Sequence, residues 1–173
     1  MKFTYDDGGR ADAGYKGNAG DCVVRAVAIA SGLPYAEVYE ALSGGMKTQR
    51  TTKRSKARSS ARDGVNVRRK WFRDYMARLG FKWTPTMQIG SGCKVHLHDG
   101  ELPMGKLIVS VSKHYTAVID GVIHDTHDPQ RDVHCSRPLG NGNPPLRADE
   151  FTHDGKWAHK ISRRCVYGYW EAA

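Results

Sequence analysis

At 173 residues, with 39% hydrophobic side chains and a mean hydropathy of −0.60, the chain has the size of one domain with a real core, and residues 1–173 are read as a single unit. The opening MKFTYDDGGR turns polar within five residues and no apolar run nears the roughly 20 of a membrane span, which predicts neither a signal peptide nor a membrane partner. The formal charge of +9 is concentrated: Lys47 to Lys70 holds ten basic residues against one acidic one, and the remainder balances.

In chain order, Lys2–Tyr5 reads as a short edge strand, followed by a DDGGR turn and a glycine-rich approach from Gly14 to Gly20. Asp21 is placed as the N-cap of a helix beginning at Cys22. Val23, Val24, Ala26, Val27, Ala28, Ile29 and Ala30 leave that helix almost no polar face, so it belongs in the middle of the domain, with Gly32 as its left-handed stop. Arg25, four residues after Asp21, can pair with it across the first turn. Pro34 opens a second helix, PYAEVYEAL, which Ser43-Gly44-Gly45 should end.

Residues 46–64 are rich in Lys, Arg, Ser and Thr and lack aromatic residues, a composition that predicts a mobile basic insert. Its cations Arg50, Lys53, Arg54, Lys56, Arg58 and Arg62 could hold phosphates non-specifically, without the aromatic platforms that stack bases. Val65–Leu79 returns to helical spacing, with Val67, Trp71, Phe72, Tyr75, Met76 and Leu79 in one stripe. Phe81–Thr86 and Lys106–Val111 read as extended. In HYTAVIDGVIHDTHDP two β-prone runs flank Asp120-Gly121, a strong two-residue hairpin signal. Cys135–Arg147 reads as loop, and Lys156–Ile161 and Arg164–Trp170 as late strands. The fold class expected is α+β, with N-terminal helices packed on a small antiparallel sheet.

Four scattered cysteines (Cys22, Cys93, Cys135, Cys165) without a CxxC pair predict neither a disulfide framework nor a zinc site, and His96 and His98 are read as surface histidines. Cys22, however, sits at the positive end of a helix dipole, where a thiolate is favoured. If Asp120-Gly121 is the turn, Ile119 pairs with Val122, and residues 114, 116 and 118 share a face with 123, 125 and 127. Asp125 is then diagonal to His114, whereas Asp128 points to the other side. The resulting constellation is Cys22 as nucleophile, His114 as its base and Asp125 as the group orienting the imidazole. The Cys22 backbone N–H and the Asn18 side chain are the candidate donors to a carbonyl oxygen. No cofactor or metal is called for.

The order Cys, His, Asp, on a buried helix followed by a strand pair, resembles papain-like cysteine peptidases, and most of all the compact branch that includes bacteriocin-processing peptidases. The strings DDGGR, AGDCVVRAVAIASGLPYAEVY and HYTAVIDGVIHDTHDP are similar to those of small proteins encoded by bacteriophages and prophages. The resemblance spans roughly residues 4–43 and 104–130. It implies a papain-like fold, a peptide or protein substrate, and a place in the host cytoplasm or the virion. In one respect the chain departs from the family: Lys16 stands where papain-like enzymes carry their oxyanion glutamine. The competing reading is a non-catalytic papain-like phage protein that is structural or binds nucleic acid or other phage proteins through the basic insert.

Overall fold

A computed structural model describes residues 1–49, 60–131, 133–140, 146, 150–152 and 154–173. The architecture is α+β. Three helices, α1 (Cys22–Ser31), α2 (Tyr35–Lys47) and α3 (Lys70–Arg78), accompany strands β1 (Lys2–Tyr5), β2 (Phe81–Pro85), β3 (Lys106–Val111), β4 (His114–Ile119), β5 (Val122–Asp125) and β9 (Val166–Ala172). These six strands form one sheet in the order β1-β5-β4-β3-β9-β2. A second sheet contains β6 (Val133–Pro138), β8 (Trp157–Ser162) and β7 (Phe151–Thr152).

The larger sheet is mixed, which corrects the expectation of a small antiparallel one. β1 lies parallel to β5, with Tyr5 opposite Asp125, while the other neighbours run antiparallel. More than a hundred residues separate β1 from β5, so no hairpin forces them to oppose.

Both faces of the sheet are covered. Ile108, Ala117 and Trp170 pack with Val24 and Val27 of α1, Leu42 of α2, and Phe72 and Met76 of α3. Leu107, Val109, Val111, Val118, Ile123 and Val166 form a second cluster with Leu97. β3 is therefore buried from Leu107 to Val111, and its largely apolar sequence, broken there only by Ser110, follows from having a core on each side. α1 is buried at six of its ten positions, as its composition predicts, and Gly32 ends it in the left-handed conformation (φ 75°).

Several boundaries differ from the sequence reading. α2 runs through Ser43-Gly44-Gly45 to Lys47, because Gly45 leaves room for the Trp71 ring of the next helix. α3 starts at Lys70, five residues later than expected. Residues 135–138, expected in a loop, belong to β6. Of the basic insert, Met46 and Lys47 complete α2, and Ala61–Asp63 form a 3-10 turn with Ala61 buried. Arg62 falls in that turn; Arg50, Lys53, Arg54, Lys56 and Arg58 lie outside the described residues.

Cys93 and Cys165 form a disulfide, which corrects the expectation of free thiols there. An isolated bridge between His96 and Cys165 carries the 93–97 segment alongside the start of β9 and brings the two Cα atoms to 5.9 Å, within disulfide range. That approach joins residues 72 apart and leaves no mark in local spacing. No helix among the described residues is long and apolar enough to cross a membrane.

A Cβ added at Gly45 would stand 2.3 Å from Trp71 Cε3. Gly45→Ala should therefore destabilise by about 1–2 kcal/mol in urea unfolding, despite alanine's advantage of about 1 kcal/mol in a helix interior. A net gain in stability would contradict this packing.

Candidate active site

Cys22 opens α1 and Asp21 holds the N-cap position, as the sequence suggests, but not with the capping bond expected of its carboxylate. Its side chain makes no capping bond. The buried carboxylate instead accepts from Arg10 Nε at 2.7 Å and from the Tyr35 hydroxyl, and pairs with Arg25 one helical turn on. A carboxylate with two guanidinium partners and a phenol has a stronger claim on its lone pairs than the open amides of a helix end. The predicted Asp21–Arg25 pair is present.

Arg10 extends this network to the loop before Cys22. Its guanidinium also donates to the carbonyls of Tyr15 (3.1 Å), Lys16 (3.3 Å) and Gly17 (3.0 Å). The residue that fixes Asp21 thus also fixes the chain leading to Asn18. Gly20 N–H donates to the Arg62 carbonyl at 2.7 Å, which ties the same approach to the end of the basic insert. Asn18 is exposed and lines a cleft of 480 Å³ that also holds Cys22, Arg25, Lys113, His114 and His127. All four of Cys22, His114, Asp125 and Asn18 are brought to this region: three line the cleft, and Asp125 is buried directly behind His114.

The hairpin register places the other two groups. Ile119 pairs with Val122 and Ala117 with His124, so Asp125 falls diagonally across from His114. Its Oδ2 lies 2.6 Å from His114 Nε2. The Thr126 backbone N–H donates to Asp125 Oδ1 at 2.7 Å, and Arg25 comes within 4.0 Å of the same oxygen. Arg25 therefore spans from the carboxylate before Cys22 to the one behind His114.

Burial of Cys22 raises its thiol pKa, but a hydrogen bond from His114, that residue's charge, the Tyr115 backbone and Arg25 outweigh it, and the net shift is downward. Burial also lowers His114, yet hydrogen bonds to Asp125 and Cys22 and their charges push it up to about 9. Asp125 is raised by burial and lowered more strongly by His114 and the Thr126 N–H, ending below the ordinary carboxylate range. All three shifts run toward the charged forms, so each group favours ionisation of the next. With its Nε2 on Asp125, the ring leaves Nδ1 to serve the sulfur.

Three ligand atoms from His114, Asp125 and His127 lie within 4.8 Å of one another and are the described group that could hold a metal ion. His127, two residues past β5, also lies against His114, with the rings tilted and their centroids 4.8 Å apart. The sequence parity put His127 on this face without assigning it a role. Arg10 was missed altogether, since nothing in DDGGR announces a side chain that reaches three carbonyls. Comparison with protein-family models, curated proteins and solved structures finds no match to this chain.

Asp21→Asn removes the charge from a site that retains two cations, and should cost about 3 kcal/mol or more in chemical denaturation; a cost under about 1 kcal/mol would place the anchor elsewhere. Alkylation of Cys22 should stay fast well below the pH at which an ordinary thiol slows. In His114→Ala its pH midpoint should move upward, and an unmoved midpoint would show that His114 does not set the thiol's ionisation.

Proposed function

We propose that the chain is a papain-like thiol hydrolase that cleaves an amide bond in a peptide or protein through Cys22, His114 and Asp125. The observation that carries this reading is the position of His114, whose ring faces the thiol at a helix N-terminus and whose Nε2 is 2.6 Å from a buried carboxylate. A merely structural histidine has no need of a thiol on its other side whose pKa it lowers.

In the reaction, Cys22 Sγ attacks the carbonyl carbon and the carbonyl π electrons move to oxygen. The Cys22 backbone N–H, unused within the helix because it belongs to the first turn, and the Asn18 amide supply donors to that oxygen. Collapse of the adduct breaks the C–N bond, and His114 Nδ1 delivers its proton to the departing nitrogen. A water then attacks the thioester, gives its proton to His114, and releases the acid and the thiolate. Asp125 holds the ring orientation and the imidazolium charge throughout. Asn18 reaches the site from a loop held by Arg10, in place of the glutamine whose position Lys16 occupies. The similarity of the quoted strings to phage-encoded proteins supports action in a host cytoplasm or a virion.

The test is cleavage of a proteome-derived peptide mixture, read by mass spectrometry. Wild-type protein should generate new termini that vanish with Cys22→Ala. Asp125→Asn should lower kcat about a hundredfold or more, and Asn18→Ala should lower kcat by about 10²- to 10³-fold with little change in KM. Cleavage that persists in Cys22→Ala would remove the proposal. The activity should also fall as pH rises through about 9, where His114 loses the proton that the leaving amine needs.

A further inference from the structure

His114 faces two spaces. One is the cleft of Cys22 and Asn18; the other is an adjoining basin of 670 Å³. The basin is lined by Lys113, His127, Arg131, Arg163 and Arg164 together with His114, and among the described residues no acidic side chain contributes to its wall. Lys113 and His127 border both spaces.

Lys113 is placed there at a conformational cost. Val111 pairs with His114, so Ser112-Lys113 is the two-residue connection between β3 and β4, and Lys113 adopts φ 59°, a region that glycine or asparagine occupies more readily. Arg164 braces the turn by donating to the Ser112 carbonyl at 2.6 Å. Arg163 lies 3.6 Å from Glu101, which partly neutralises it. Lys113 and Arg131 are exposed and make no ion pair among the described residues. The short turn thus holds the Lys113 cation beside the proposed general acid, at the border of both spaces.

We infer that the substrate segment leaving past His114 is acidic, with Asp or Glu carboxylates close behind the scissile amide nitrogen that Lys113 and Arg131 receive. The direction follows from the proton transfer: the nitrogen protonated by His114 departs on that residue's side of the thiol, and that side opens into the basin. An acidic peptide is favoured over nucleic acid because the basin shares His114 with the thiol cleft, so its ligand must be continuous with a chain bearing an amide at Cys22. Complementary charge at this point would steer substrate in and fix its register.

The inference rests on the thiol-hydrolase reading, so binding is measured apart from turnover. A fluorescein-labelled peptide with an alanine run followed by alternating Asp and Glu is titrated into Cys22→Ala protein, beside its Asn/Gln counterpart and a single-stranded DNA oligonucleotide. The acidic peptide should bind about tenfold or more tighter than the amide peptide. That preference should disappear in Lys113→Glu/Arg131→Glu, and the Lys113→Gln/Arg131→Gln pair serves if charge reversal prevents folding. Equal binding of the two peptides, a preference unaltered by the paired substitutions, or a basin-dependent preference for the oligonucleotide would overturn the inference even with a hyper-reactive Cys22. Selective binding by a protein whose Cys22 reacts as an ordinary thiol would instead keep the acidic-peptide site and remove the hydrolase reading.

Discussion

The geometry around Cys22 depends on one buried carboxylate. Asp21 sits next to Cys22 in sequence and gathers Arg10, Arg25 and Tyr35 around it. Through Arg10 it holds the carbonyls of residues 15–17 and hence the approach of Asn18. Through Arg25 it reaches the neighbourhood of Asp125 on the opposite hairpin. Through Tyr35 it fixes the start of α2. A buried anion of this kind needs charged, well-aligned partners, and here the partners belong to three separate parts of the chain. Removing it would leave Arg10 without its carboxylate partner and Arg25 with only the more distant Asp125.

That arrangement opposes the effect of burial on the thiol and the imidazole. Burial alone would keep Cys22 protonated and His114 neutral. Each charge is stabilised by the next in the series Asp125, His114 and Cys22, with Arg25 adding a fixed positive charge beside the sulfur. The linkage to folding has two windows. The contribution of His114 is fully present below its ordinary titration near 6.5 and is lost as pH rises through about 9. The contribution of Asp125 is present above its ordinary value of 3.8 and is lost as pH falls through its depressed folded value.

The parts of this site governed by local rules were legible in the sequence. The apolar composition of α1 identified a buried helix, and the Asp120-Gly121 turn set a register whose parity selected Asp125 over Asp128. Contacts between distant segments were not legible. Asp21 looks like a cap from its neighbours alone, and only the return of Arg10 and Tyr35 turns it into an anchor. Cys93 and Cys165 carry no spacing signal and meet through a single bridge. Gly44-Gly45 looks like a helix stop until Trp71 takes the space beside it. The parallel pairing of β1 with β5 likewise depends on where a long connection happens to return.

The central claim is that Cys22 and His114 form a thiolate–imidazolium pair supported by Asp125, and the ring nitrogens of His114 report on it directly. In ¹⁵N NMR of imidazole-labelled protein, both His114 nitrogens should remain protonated through neutral pH and titrate together near pH 9. In Cys22→Ala or Asp125→Asn that titration should move to lower pH. A His114 ring that loses its proton near the ordinary histidine value of about 6.5, and does so equally in the wild type and both variants, would contradict the account.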